Sequence, residues 1–355
     1  MSFRAKRGIL GEKMLKRLTA ILLAAAMALL LGACSGGNEK YTPDGRKKIR
    51  IGLVTDVGGI NDRSFNELAW KGLSELGAED GIFDAVYLES RTDADYETNL
   101  YTLIDEGMDL IISVGYMAAD SLREVALDNP DQKFAIVDDA SCADLPNVAC
   151  ITFAQEEAAY LAGIVAGSVT KTGTVGYVQG MVSPSMNLFG IGYIAGVKRA
   201  CPEARILQYN ANSFADIAGG TTAAKNMITG GADVIFHAAG STGIGVINAC
   251  EESGIWAIGV DQDQSDLSPE HVITSAVKCV DHAIRDVALS VKDGTYRSGV
   301  CVYDLENQGV DLAPTRDHIP AEVLRMVEEA REDVITGRVQ VPDSAGMCPE
   351  FVLGN

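Results

Sequence analysis

From Ile49 onward, short apolar runs rich in β-branched residues alternate with stretches at helical spacing. The apolar runs predict strands at 49–56, 84–89, 110–115, 134–138, 148–153, 174–179, 205–209, 233–238, 256–261, 272–277 and 300–304. Between them, the pattern predicts helices at 64–76, 96–106, 118–129, 156–169, 186–200, 217–229, 242–252, 281–292 and 321–336, the third closed by Asn129-Pro130. The strands are apolar almost throughout, as parallel strands covered on both faces are. No short-period repeat or low-complexity linker interrupts the rhythm, so the pattern predicts an α/β chain of open, doubly wound sheets. About ten strands in two groups fit two lobes. Ligands of such folds sit beyond the carboxyl ends of the strands. The residues to watch are therefore the polar or aromatic ones there: Asp56, Tyr116, Asp138, Phe236, Asp261 and the Gly240-Ser241-Thr242-Gly243 turn.

The N-terminal segment follows a different pattern. Lys13, Lys16 and Arg17 precede an uncharged run from Leu18 to Leu31, which ends in Leu31-Gly32-Ala33-Cys34. The run is shorter than the roughly 20 residues of a membrane-spanning helix. A basic stretch, an apolar run and small residues at a cut describe an export signal. The last four residues resemble the bacterial lipoprotein signal, in which the cysteine is lipidated and becomes the first mature residue. Residues 1–33 are thus expected to be removed and 34–44 to be a flexible tether. Translation from Met14 would leave the signal intact.

Composition and charge narrow the function. The chain of 355 residues is 47% hydrophobic and has a formal charge of −20, and residues beyond 33 alone carry −25. Such a body repels phosphate backbones, which argues against a nucleic-acid partner. Seven cysteines follow Cys34 without a Cys-x-x-Cys motif or a Cys/His cluster. That leaves a Cys142–Cys150 disulfide or a set of buried thiols as the open readings.

The most informative segment is Asp56-Val57-Gly58-Gly59-Ile60-Asn61-Asp62-Arg63-Ser64-Phe65-Asn66. Its glycines allow close approach or positive φ, and Asp62 or Ser64 can cap the next helix. A capped loop does not by itself account for several polar groups and an aromatic ring crowded at one strand end. Together with Ala69-Trp70-Lys71-Gly72, this segment resembles the opening signature of the basic membrane protein family, exported lipoproteins that feed ABC importers. Asp233-Val234-Ile235-Phe236 running into Ala239–Val246, Trp256–Gln264 and Thr274-Ser275-Ala276-Val277-Lys278 match in family order.

The resemblance implies a type I periplasmic-binding-protein fold, with two Rossmann-like lobes joined by a hinge of strand crossovers. The lobes are expected at 45–154 plus 280–310 and at 155–279 plus 311–355. It also implies a nucleoside ligand, as in the purine-nucleoside branch, and an ABC permease with its ATPase as partners. Phe65 and Phe236 would take the two faces of the base, and rings suit a flat heterocycle. Asp261 and Lys278 would hold ribose hydroxyls. Asp56 and Asp138, or Asp139 in its place, would read the base edge. Asn61, Asp62, Ser64, Asn66, Tyr116, Gly240, Ser241, Thr242 and Gly243 complete the expected site. Ser241 stands where the family commonly has glycine. The protein would sit outside the cytoplasm, lipid-anchored through Cys34.

Other motifs carry less. Gly240-x-x-Gly243-x-Gly245 does not have the spacing of the dinucleotide fingerprint. Asp261–Asp266 echoes a calcium loop but lacks the sixth-position glycine and the twelfth-position glutamate. The four histidines show neither metal spacing nor a triad. No metal or cofactor is expected. Two other function classes remain, a ligand sensor for a membrane signalling protein and an exported nucleoside hydrolase. The second would need a nucleophile or activated water for which no set of residues is visible.

Overall fold

The computed structural model describes residues 40–353; the predicted signal, Cys34 and residues 35–39 lie outside them. The chain forms two compact units that divide between Lys48 and Ile49. In the first, Tyr41 and Lys47 make an antiparallel bridge around a turn in which Gly45 N donates to Thr42 O at 2.8 Å. Among the described residues, no helix is long and apolar enough to cross a membrane.

Among the described residues, the second unit contains twelve strands. These are β1 (Ile49–Val54), β2 (Phe83–Leu88), β3 (Leu110–Val114), β4 (Phe134–Val137), β5 (Val148–Phe153), β6 (Thr174–Gln179), β7 (Arg205–Asn210), β8 (Val234–Ala238), β9 (Trp256–Asp261), β10 (Val272–Lys278), β11 (Gly299–Tyr303) and β12 (Val310–Leu312). They form two six-stranded sheets, ordered β11-β5-β4-β3-β1-β2 and β12-β10-β9-β8-β6-β7. Every pairing is parallel except that of β12, which runs antiparallel to β10. This is the predicted α/β, doubly wound class.

The interior strands explain why the sheets are parallel. β3 and β4 are buried at every residue, so both faces need a helical cover. In the first lobe that cover comes from α1 (Phe65–Glu79), α2 (Asp93–Asp105), α3 (Ala119–Asp128) and α8 (Val280–Lys292). In the second it comes from α4 (Gln155–Val169), α5 (Pro184–Ala200), α6 (Ile217–Thr229), α7 (Ser241–Ser253) and α9 (Ala321–Ile335). The edge strands β7 and β11 are more exposed, with Tyr209, Val300 and Val302 open to solvent.

The chain crosses between sheets after β5, after β10 and between β11 and β12. These crossings are tied to neighbouring elements. Ala154 N donates to Tyr303 O at 2.8 Å and Cys279 N to Gly309 O at 2.9 Å. Glu157 accepts from Leu305 N at 2.9 Å. The seven described cysteines are all free thiols, four of them buried, and Cys142 Sγ donates to the Ala119 carbonyl at 3.7 Å. The buried-thiol reading therefore holds for Cys142, Cys150, Cys250 and Cys348, whereas Cys201 and Cys279 are half-buried and Cys301 is exposed, and the Cys142–Cys150 disulfide does not form in this structure.

Candidate functional site

The carboxyl ends of the two sheets border a cleft with about 490 Å3 of space not filled by protein atoms, open solvent at its mouth included. Its first-lobe wall grows from the loop that joins β1 to α1. Asp62 acts there as a helix cap. Its Oδ1 accepts from Ser64 N at 2.9 Å and Glu67 N at 3.1 Å, and its Oδ2 accepts from Asn66 N at 2.8 Å. Three of the amides that a helix start leaves unpaired are satisfied by one carboxylate. Asn66 then turns its side chain back. Its Nδ2 donates to Asp56 Oδ1 at 2.7 Å and Asp62 Oδ2 at 2.9 Å, while its Oδ1 accepts from Asp56 N at 3.1 Å.

Asp56 is the product of this network. Gly58 N also donates to its Oδ1, at 2.8 Å, which leaves Oδ2 as the uncommitted acceptor. A side chain at Gly115 would meet that oxygen at 3.3 Å, so glycine there keeps it clear. Burial pushes the Asp56 carboxyl up to about 6 against the pull of Asn66, with repulsion from Asp62 and Asp138 adding to the rise. Asp62 is also raised, chiefly by burial, and burial raises the Tyr116 hydroxyl.

The polar end of the cleft joins both lobes. Asp138 follows β4 and Asp261 ends β9, and both have left-handed backbone, with φ of 65° and 66°. Such φ is uncommon for residues other than glycine and tolerated best by Asp and Asn. Lys278, the last residue of β10, reaches between them, with Nζ 2.7 Å from Asp138 Oδ2 and 3.8 Å from Asp261 Oδ1. Burial alone would lower the Lys278 pKa, but the Asp138 and Asp261 carboxylates outweigh it and hold the ammonium above its ordinary range. Asp261 is raised by burial despite Lys278 and the hydroxyl of Ser64, which donates to its Oδ2 across the lobes. The Lys278 Nζ also lies 4.3 Å from the ring centroid of Phe65 and 5.5 Å from that of Phe189. Those two rings, from opposite lobes, are thus at most about 10 Å apart.

The second-lobe wall is mostly apolar: Met186 and Phe189 of α5, Phe214 of the β7–α6 loop, Ala238, Ala239 and Val260. Thr242 secures the Phe214 loop. Its hydroxyl donates to Ser213 O at 3.0 Å and accepts from Asp216 N at 2.9 Å. Its amide donates to Phe214 O at 3.2 Å. Gly240 lines the cleft with φ of 53°, and a side chain there would meet Phe214 O at 3.1 Å.

The structure brings together Asp56, Asp62, Phe65, Asn66, Tyr116, Asp138, Gly240, Asp261 and Lys278 as lining residues. It places the other expected residues elsewhere. Phe236 lies two residues before the end of β8, fully buried, with its ring 5.5 Å from Tyr177 and 5.1 Å from Tyr193. It backs the lining residue Phe189, 6.2 Å away edge-on, and is itself core. Asn61 is exposed and does not line the cleft. Ser64 bonds to Asp261 from behind the lining, and Thr242 holds the Phe214 loop. Ser241 starts α7 without lining the cleft, and Gly243 is closed off by His237, whose Nδ1 a side chain there would meet at 2.0 Å. Asp139 lies outside the cleft lining. The calcium-like run makes protein contacts: Asp263 accepts from Ser265 N at 3.1 Å and Thr315 N at 3.2 Å. Among the described residues, no group of three or more His, Cys, Asp and Glu is placed to hold a metal ion.

Comparison with known proteins gives this geometry a context. A family profile for Bmp, described as ABC transporter substrate-binding protein PnrA-like, matches residues 49–345. The chain is 38% identical to a CD4+ T-cell-stimulating antigen of Listeria innocua serovar 6a, over 93% of this chain and 99% of that protein. It is 35% identical to the ABC transporter nucleoside-binding protein BmpA of Lactococcus lactis subsp. cremoris, with the same coverage of 93% and 99%. Among solved structures, an ABC transporter solute-binding protein from Aeropyrum pernix K1 superposes with a TM-score of 0.79. That match has 27% sequence identity and covers 85% of this chain and 96% of the other.

Proposed function

The chain belongs to the Bmp family of PnrA-like ABC transporter substrate-binding proteins, and on that premise we propose that it is a lipid-anchored receptor that captures a purine nucleoside for import. The observation that carries this reading is the buried cage of Asp138, Asp261 and Lys278 set against the face of Phe65. An apolar slot between rings takes the base, and a charged end takes the hydroxyl-rich sugar. A base sandwiched between two walls needs about 3.5 Å on each side, about 7 Å in all, which lies within the upper limit of about 10 Å on the Phe65–Phe189 separation. The second stacking wall is then made by Phe189, Met186 and Phe214 rather than Phe236.

Asp261 would accept from ribose hydroxyls and Lys278 donate to one. Because Lys278 Nζ stands over Phe65 at 4.3 Å, an arriving base displaces the ammonium from that face and frees it for the sugar. The spare Asp56 Oδ2 accepts from an N–H on the base edge. The three crossovers act as the hinge on which the lobes, at 45–154 plus 280–310 and 155–279 plus 311–355, close around the ligand. Closure would present both lobes to an ABC permease and its ATPase. A lipid on Cys34 would keep the receptor at the outer face of the cell membrane, where multiple acyl chains give stable anchoring. The family is one of binding proteins, so the ligand leaves unchanged.

Calorimetric titration with inosine, guanosine and adenosine tests the reading, with chromatography of the same mixtures for free base. Saturable binding without base release is expected. Absence of binding to all three would refute it.

A further inference from the structure

The lobes also meet away from the Asp138–Lys278 pair, where the loop after β9 reaches the turn before α1. The side chain of Gln264 makes the bridge: its Nε2 donates to the carbonyl of Arg63 at 2.9 Å. Neither residue lines the cleft. Gln264 is 1% exposed and is fixed on its own lobe. Its Oε1 accepts from Val260 N at 2.9 Å, and its backbone amide donates to Ser275 Oγ at 3.1 Å. A backbone N–H can only donate, so the atom facing Val260 is the oxygen and the atom facing the Arg63 carbonyl is the donor. Gly259 makes room for this path across the sheet, since a side chain there would meet Gln264 Oε1 at 2.6 Å. Asp263 ties the same loop to Thr315 N at 3.2 Å. On the first lobe, Arg63 has left-handed backbone with φ of 56°, inside the turn that Asp62 holds through Ser64 N and Asn66 N. Two fixed ends thus meet through one buried hydrogen bond, flanked by the exposed ion pair of Arg63 with Asp266.

We propose that Gln264 is a positioning residue for lobe closure, a latch that sets how long a captured nucleoside stays without touching it. The inference rests on the nucleoside reading, with ribose hydroxyls at Asp261 and Lys278. The other cross-lobe bonds, Lys278 to Asp138 and Ser64 to Asp261, involve groups that a nucleoside would engage. The Gln264–Arg63 bond involves none of them, so it keeps the same partners whether or not the cleft is filled. The lobes cannot part without breaking it, and parting is the step that lets the ligand leave. The ion pair beside it is open to solvent and contributes little.

Association and dissociation rates of radiolabelled inosine at neutral pH test this. Gln264→Glu keeps an acceptor for Val260 N and sets an oxygen against the Arg63 carbonyl. Release is expected to be at least about fivefold faster, the scale of one hydrogen bond, with capture not slowed. A residue that only shaped the cleft would slow capture as well. Gln264→Met removes the donor without burying a charge; it should speed release in the same way, and it covers the case in which the buried carboxylate prevents folding. Asp266→Asn, which removes the ion pair, should leave both rates near those of the parent. Unchanged release in a folded Gln264 variant, slowed capture, or equal acceleration in Asp266→Asn would overturn the latch and leave the nucleoside reading standing. If the parent protein does not bind inosine, the nucleoside reading falls and takes the latch with it.

Discussion

The two lobes place an aspartate at the same point of the same fold and then treat it differently. Asp138 follows the fourth strand of the first sheet and Asp261 ends the corresponding strand of the second, with φ of 65° and 66°. Around them the walls diverge. The first lobe surrounds its half of the cleft with a fixed network, Asn66 bridging Asp56 and Asp62. The second offers Met186, Phe189 and Phe214 and keeps its polar groups, Asp261 and Lys278, at one end. One backbone plan, used twice, thus yields a wall of hydrogen-bonded polar side chains and a wall of apolar surface. The ammonium of Lys278 joins them.

The largest test of this division removes that junction. Lys278→Met should lower unfolding free energy by about 3–5 kcal/mol, because two buried carboxylates lose their counter-charge. Urea denaturation would measure this, and a loss below 1 kcal/mol would mean that Lys278 does not hold the lobes' acids together. Phe236→Ala should cost a similar amount, about 3–5 kcal/mol, as a core truncation. Nucleoside affinity should barely move in that variant; a large loss would return Phe236 to the site.

Next comes Asp56. Its carboxyl is raised to about 6 in the folded protein, so the folded form binds more protons than the unfolded chain between the two pKa values. The stability this group contributes is complete below about pH 4 and is lost as pH rises through about 6. Relative to Asp56→Asn, the parent should therefore lose about 2–3 kcal/mol of stability between pH 4 and 7. Parallel stability curves for the two proteins would contradict the burial argument. The smallest effect is expected at Phe65, where Phe65→Ala should weaken nucleoside binding by about 1–3 kcal/mol, the range of one stacked base. Calorimetry showing unchanged affinity would leave the base without its first-lobe wall.

These contrasts also explain what could be read from the residues in advance. The alternation of strands and helices was legible because each run was long and consistently patterned. The three-residue β12 was not, since Val310-Asp311-Leu312 is too short to carry a period and takes its place only by pairing with β10. On the polar wall, carboxylates and an aromatic at a strand end stand out against a capped loop. On the apolar wall nothing distinguishes Met186 and Phe189 from the core residues of α5, whose spacing they share. Phe214 was the exception available to a closer reading, an aromatic ring in the polar stretch Asn210–Asp216. Phe236 misled for a geometric reason: side chains alternate along a strand, and position within it decides whether a ring meets the cleft or the helices behind it.

The most direct test of the central claim, that rings from opposite lobes and a shared cage of two acids and an amine form one nucleoside site, is a crystal structure of the protein grown with inosine. The account predicts the base stacked on Phe65 with Phe189, Met186 or Phe214 on its other face, and ribose hydroxyls within hydrogen-bond distance of Asp261 and Lys278. Inosine bound elsewhere, or an intact Lys278–Phe65 contact in a cleft holding no nucleoside at saturating concentration, would contradict it.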